Sequence, residues 1–113
     1  MVRAKVESFE ILDQAAQAIV DQVEYYRLRS PGTGLGQRWE QAVTEVMLSL
    51  RLMPERGAKC QFRLPELQEL RRLSIPGFPH HLLFYVYEKS ARRIRIIHVL
   101  HGARNLGPLF DLL

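Results

Sequence analysis

Four histidines are the side chains of this sequence that suit metal binding or proton transfer near neutral pH: His80, His81, His98 and His101. His80 and His81 are adjacent in a segment with a strand pattern, so they point to opposite faces and cannot chelate one ion together. His98 and His101 lie three apart at a predicted strand end, which lacks the ligand set of a metal site. Cys60 is the only cysteine, so it forms no intrachain disulfide and we expect a bystander thiol. We expect no metal and no cofactor.

The basic residues are concentrated in the second half of the chain. Residues 1–55 hold six lysines and arginines against eight acidic residues, whereas residues 56–104 hold ten against three. A positive field of this kind favours binding to nucleic acid or to an acidic protein surface. A solvated positive face that only keeps the protein soluble is the alternative interpretation.

The length and composition indicate one globular domain over residues 1–113. The sequence has 113 residues, of which 47% are hydrophobic and 25% charged, as in ordinary globular proteins. Residues 1–8 lack the apolar stretch of a signal peptide, and no apolar run approaches the length of a membrane span. We therefore expect a cytoplasmic protein without a membrane partner.

Two helices are predicted from the spacing of apolar residues in the first half. Residues 2–6 alternate apolar and charged, which predicts a short strand, and Ser8 then suits the N-cap of a helix over residues 9–29. The turn at residues 30–34 leads to a second helix over residues 34–53, which Pro54 and Gly57 end. The predicted apolar stripes are Phe9, Leu12, Ala16, Ile19, Val23 and Tyr26, then Leu35, Trp39, Val43, Val46, Leu50 and Met53.

The rest of the chain changes to a period near two, which predicts strands over residues 68–75, 80–87 and 93–100. Turns at Pro76-Gly77 and at residues 88–92 make these strands an antiparallel meander. On the middle strand, Leu83, Tyr85 and Tyr87 share one face, and Leu82, Phe84 and Val86 share the other. The predicted fold is α+β: an antiparallel helix hairpin on one face of a small antiparallel sheet, with the first strand beside the last and residues 105–113 as a short apolar tail.

Several sequence segments resemble the RelE/ParE superfamily in their order and spacing. They are residues 70–79 (LRRLSIPGFP), 83–85 (LFY) and 96–106 (IIHVLHGARNL), together with the helix junction 30–31 (SP) and the helix end 52–57 (LMPERG). The order β-α-α-β-β-β agrees with that superfamily, and the ending His101-Gly102-Ala103-Arg104 is similar to its ParE-like branch.

The resemblance implies the toxin of a type II toxin–antitoxin pair. Such a toxin is neutralised by a cognate antitoxin encoded nearby, and the two can form a higher oligomer. ParE-like members poison DNA gyrase, whereas RelE-like members cut ribosome-bound messenger RNA without a metal. An inactive relic that only binds its antitoxin would carry the same sequence signals. We expect gyrase poisoning, by binding rather than by enzymatic chemistry, with messenger cleavage as the alternative.

The same resemblance implies the candidate site residues. Messenger cleavage would use Arg71, Arg104 and His101 as catalytic residues, but Phe110 lacks the hydroxyl that a proton-transfer residue near the C-terminus would need. For a binder, we expect contacts with the target or the antitoxin from Arg71, Arg72, Tyr85, Tyr87, Arg95 and Arg104.

Overall fold

The computed structural model describes residues 6–60 and 69–102, which form two helices and a five-stranded sheet. The sheet order is β1-β5-β4-β3-β2. Within the described residues, no helix is long and apolar enough to cross a membrane. In chain order the elements are β1 (Ser8–Ile11), α1 (Asp13–Arg29), α2 (Leu35–Ser49), β2 (Ala58–Lys59), β3 (Leu70–Ile75), β4 (Phe78–Glu88) and β5 (Arg93–His101).

The main core lies between the helices and one face of the sheet, which we call the helix face. The opposite face, here the outer face, carries a smaller apolar cluster. The buried residues of the main core are Val6, Ala15, Trp39, Val43, Val46, Leu50, Ile75, Leu83, Tyr85, Ile94, Ile96 and Val99. Those of the outer cluster are Cys60, Leu70, Phe84 and Ile97. Burial raises the pKa of the Cys60 thiol, so this cysteine stays protonated near neutral pH.

Helix α2 confirms the predicted apolar stripe over most of its length. Trp39, Val43 and Val46 are buried, and Leu50 is buried as the residue that ends the helix. The prediction was wrong for Met53, which is 61% exposed. Because the helix ends at Ser49, the helical spacing no longer decides where residue 53 points.

Helix α1 begins four residues later than predicted. Ser8 does not cap it: Leu12 is the N-cap residue and makes no side-chain capping hydrogen bond. Residues 8–11 form a strand instead, so Phe9 reaches the core from the sheet. Ala15 rather than Ala16 is the buried alanine of the helix, while Ile19, Val23 and Tyr26 pack against the core as expected.

Strand β1, formed by residues 8–11, takes the position beside the last strand where the strand at residues 2–6 was expected, and it runs parallel to β5, so the sheet is mixed rather than antiparallel. The pairing places Phe9 against the helix-face core and leaves Glu10 3.8 Å and 3.5 Å from the guanidinium nitrogens of Arg93 and Arg95. Burial on one face and ion pairing on the other outweigh the local capping signal of Ser8. The strand expected over residues 2–6 falls largely outside the described residues, as do Gln68 and the tail at residues 105–113.

Strands β3, β4 and β5 form the predicted antiparallel meander. The two predicted faces of β4 are also confirmed: Leu83, Tyr85 and Tyr87 belong to the main core, and Leu82, Phe84 and Val86 to the outer cluster. Strand β2 was not predicted, because two residues are too short for a periodic signal.

A bulge in β5 reverses the alternation of the strand. Before it the even-numbered residues face the helices, and after it the odd-numbered residues do. Tyr85 faces Ile96 and Phe84 faces His98, so Ile97 is the extra residue. The bulge brings both Ile96 and Val99, three residues apart, to the helix-face core. Without it, strict alternation would place one of these two side chains on the outer face.

Truncating Leu50 tests the assignment of the main core. This side chain is fully buried, so Leu50→Ala is expected to lower the free energy of unfolding by about 2–5 kcal/mol. Ile19→Ala should cost less, because Ile19 is only partly buried. Leu48→Ala, at a position 55% exposed, is the matched control and should change stability by less than about 0.5 kcal/mol in urea denaturation. Equal losses at positions 48 and 50 would contradict the assignment.

Candidate binding surface

Two neighbouring residues on the helix face hold the loop at residues 54–57 in place. Arg71 on β3 and Tyr85 on β4 are paired across the strands. The Tyr85 hydroxyl donates to the carbonyl of Pro54 (2.8 Å) and accepts from the backbone N–H of Gly57 (2.9 Å). Nη1 of Arg71 donates to the carbonyls of Glu55 (3.0 Å) and Gly57 (2.7 Å). We call this arrangement the loop clamp.

Gly57 is required by the close approach of the loop to Tyr85. A Cβ atom at position 57 would lie 2.7 Å from both Cε1 and the hydroxyl of Tyr85, and 3.0 Å from the carbonyl oxygen of Arg72. These distances are shorter than van der Waals contact, so any side chain would force the loop away from the sheet. From the sequence, Gly57 was predicted only to end a helix. The Pro54-x-x-Gly57 spacing is the sequence feature that could have indicated a fixed loop here.

Tyr85 has a different role from the partner contact that was expected. Its side chain is fully buried, and burial raises the pKa of its hydroxyl, which stays protonated as a hydrogen-bond donor. Tyr85 therefore supports a surface from beneath. Tyr87, two residues further on the same face, is half-buried and remains available at the surface.

Arg72 and Arg95 do not join Arg71, because they lie on the outer face. Arg72 is exposed there, because adjacent residues of a strand point to opposite faces and Arg71 lies on the helix face. Arg95 belongs to an ion network with Arg93, Glu10 and Glu88, in which Arg93 and Glu88 are 2.6 Å apart. The network partly neutralises the positive charge of β5. Arg104, also predicted as a binding residue, lies outside the described residues.

Arg71 and His101 are the two described residues of the catalytic set expected for messenger cleavage, and the fold places them apart. Arg71 pairs with Tyr85, and His101 pairs with His81, four residues earlier on β4. The two residues are thus offset by about 13 Å along the strands and are also separated by the width of β4, so the fold does not place them side by side. Arg71 is in addition engaged with the loop carbonyls.

His81 is buried among aromatic rings at the other end of β4. The Tyr26 hydroxyl and Nε2 of His81 share a hydrogen bond of 3.0 Å, and the rings of Trp39 and His101 have centroids 5.3 Å and 4.7 Å away. Burial, with smaller contributions from the neighbouring His101 and His80, lowers the pKa of His81 to about 4. Neutral His81 thus ties α1 to the sheet. Among the described residues, no three His, Cys, Asp or Glu side chains gather as metal ligands.

Comparison with known proteins identifies the family. Residues 9–106 match the model of the ParE toxin of the type II toxin–antitoxin system, parDE. The chain belongs to the ParE toxin family. No curated protein sequence matches the chain.

Two solved structures are similar to this ParE-family chain. A chain of the chromosomal ParDE TA system from P. aeruginosa superposes with a TM-score of 0.68 at 15% identity, covering 88% of this chain and 99% of that one. The isolated E. coli RelE toxin has a TM-score of 0.47 at 15% identity, covering 93% of this chain and 97% of that one. At this identity the ParDE likeness supports the fold alone.

The loop clamp of this ParE-family protein can be tested by removing one hydroxyl. Tyr85→Phe leaves the Gly57 N–H and the Pro54 carbonyl without their partner, which should lower the free energy of unfolding by about 1–3 kcal/mol. Tyr87→Phe is the matched control, because its hydroxyl has no hydrogen bond to any described residue, and should have an effect of less than about 0.5 kcal/mol. Chemical denaturation measures both. A loss at position 87 as large as that at position 85 would argue against the clamp.

The buried histidine predicts how stability depends on pH. The pKa of His81 is about 4 in the folded protein and near 6.5 in the unfolded chain, so between these values the unfolded state binds more protons. Stability should therefore fall as pH decreases from about 6.5 to 4, with a steepest slope of about 1.4 kcal/mol per pH unit for this one group.

Urea denaturation at several pH values measures this slope. His81→Gln should reduce it, although His98, whose pKa burial also lowers, should leave part of it. His80→Gln is the comparison at the next, exposed position: because His80 contributes only a small part of the lowered pKa of His81, this variant should change the pH dependence much less than His81→Gln does. A wild-type slope in the His81→Gln variant would show that another group is responsible.

Proposed function

We propose that this ParE-family chain is a bacterial toxin that binds and poisons DNA gyrase in the cytoplasm and is neutralised by a cognate antitoxin encoded nearby. The choice of gyrase rather than messenger RNA as the target rests on the contacts that Arg71 makes within the fold. Its guanidinium group donates to two backbone carbonyls of the loop clamp, so it serves the shape of a surface. A protein of this design acts by binding.

Messenger cleavage has weaker support from the same residues. Acid–base chemistry requires a proton donor and a phosphate-binding cation within reach of one bond. Arg71 and His101 are offset by about 13 Å along the strands and lie on opposite sides of β4, and Phe110 has no hydroxyl. Neutral His81 is enclosed by aromatic rings.

The need for an antitoxin is supported by the apolar side chains that the fold leaves exposed. Monomeric proteins rarely keep large apolar patches in water unless a partner covers them. A segment that is disordered when free could fold onto such side chains and gain electrostatic attraction from the basic half of the toxin. Leu52 and Met53, which are adjacent in the chain, are both more than half exposed.

Exposure of purified toxin to two possible targets tests the proposed activity. We expect the toxin to produce DNA breakage by gyrase on supercoiled plasmid and to leave messenger RNA intact on translating ribosomes. In cells without antitoxin, expression should arrest growth with a DNA-damage response. Codon-specific cuts in ribosome-bound messenger RNA, with no effect on gyrase, would overturn the proposal. Loss of toxicity with retained antitoxin binding would indicate an inactive relic.

Substitution of Arg104 tests the mechanism of toxicity. If Arg104 contacts the target, Arg104→Ala should weaken gyrase poisoning by about 10- to 100-fold, as expected for loss of a hydrogen bond to a charged group. Phe110→Ala is the comparison at a position without acid–base capacity and should act only through packing or contacts of the tail. Dose–response curves of DNA breakage measure both effects. An Arg104→Ala variant with wild-type potency would exclude Arg104 from the contact.

Purification from the native operon tests the partner. A small second protein should co-elute with the toxin, and its addition should abolish the effect on gyrase. Size measurement of the complex will decide whether it forms the higher oligomer that the family resemblance implies. If the chain elutes alone and does not arrest growth at high expression, the toxin assignment fails.

A further inference from the structure

A groove lies beside the clamped loop, between the end of α2 and the end of β4. It is lined by residues 52–56, Tyr87 and Lys89 and has a volume of about 420 Å³. This volume accommodates several apolar side chains of a bound segment. We call it the α2-end groove.

Two apolar side chains at the groove are left in water. Leu52 is 51% exposed and Met53 is 61% exposed, although Trp39, Val43 and Val46 of the preceding helix are buried. Adjacent exposed apolar side chains in a concave site indicate a protein interaction site, and methionine adapts to varied partner shapes.

The loop clamp gives this groove a defined shape before any partner binds. Pro54 and Glu55 are fixed by hydrogen bonds from Tyr85 and Arg71, and Gly57 closes the loop against the Tyr85 ring. The groove therefore does not need to be ordered on binding, which reduces the entropic cost of association.

The described residues that line the groove carry a net positive charge, because two of them are cationic and one is acidic. Among the described residues, Lys59, Arg92, Arg93 and Arg95 form ion pairs with carboxylates. Arg56 and Lys89, the two cations of the groove, have no carboxylate partner among the described residues. Glu55 is the one acidic residue among those that line it. An incoming segment with acidic residues would gain attraction here.

This charge also decides between the possible occupants. A second copy of the chain, placed symmetrically, would bring Arg56 and Lys89 against the same two cations, which repel. Nucleic acid would match the charge, but it would not cover Leu52 and Met53 as apolar side chains of a protein do. The combination fits a protein segment with apolar anchors flanked by acidic residues.

We propose that the α2-end groove is the docking site for such an acidic, apolar segment of the antitoxin. The inference rests on the proposed function and assigns its neutralising partner to one place. The apolar anchors of the segment cover Leu52, Met53 and Tyr87, and its carboxylates meet Arg56 and Lys89.

The test measures binding of the purified antitoxin that co-elutes from the native operon. Leu52→Asp/Met53→Asp places two carboxylates in the groove, and we expect the dissociation constant to rise by about 100-fold or more. Arg56→Glu/Lys89→Glu should raise it by about tenfold and reduce its dependence on salt. Leu28→Asp, at an apolar position 64% exposed on α1, is the matched control and should stay within about threefold of wild type.

Thermal melts confirm that each variant is folded, which the exposure of the substituted side chains favours. Groove variants that bind the antitoxin within about threefold of wild type would overturn the docking site while leaving the proposed function intact. Equal losses from Leu28→Asp and the groove variants would also overturn it. Variants that keep antitoxin binding but lose gyrase poisoning would assign the groove to the target instead. If the wild-type chain binds no antitoxin, the proposed function itself fails, and the docking site with it.

Discussion

The hydroxyl of Tyr85 is a polar group inside an apolar core, and it is stable there only because both its donor and its acceptor capacities are used. Its partners are the Pro54 carbonyl and the Gly57 N–H, which belong to a loop far from β4 in the sequence. The central strand therefore determines where the chain goes after α2. The surface beside that loop, including exposed Leu52 and Met53, follows from the same two hydrogen bonds.

Strand β5 is a second constraint, because it decides which side chains reach the core and where charge lies. Alternation before the bulge puts Ile94 and Ile96 in the helix-face core and Arg93 and Arg95 on the outer face, and the bulge brings Val99 to the same core. On that face the two arginines meet carboxylates from β1 and β4, so they stabilise the sheet edge at the expense of charge available to a partner. The net charge of the basic half thus overstates its free positive charge, because much of it is used within the fold.

Binding and catalysis make different demands on such a scaffold. Catalysis would require a cation and a proton donor to converge, whereas binding requires a surface held in one shape. In this ParE-family chain, Arg71 helps to hold that shape. The fold persists at 15% identity to the P. aeruginosa ParDE chain because many sequences satisfy the same alternation of buried and exposed positions.

The sequence by itself determined the elements whose signals are local and periodic. The stripe of α2, the two faces of β4 and the Pro76-Gly77 turn were all predicted, because burial on one face imposes a fixed spacing on apolar residues. The family resemblance, carried by short segments in a fixed order, also needed no coordinates and was confirmed by the match over residues 9–106.

Only the tertiary structure decided the features that depend on contacts between distant segments. Residues 8–11 became a strand because β5 offered a parallel partner and an ion pair for Glu10. Of the candidate site, the sequence analysis named Arg71 and Tyr85 as binding residues but did not predict their contacts with the loop, since a hydrogen bond to residues 54–57 has no sequence period. Exposure at Met53 likewise depended on where α2 ends. Pairing between segments far apart in the chain is set by packing of the whole core, and local propensities do not predict it.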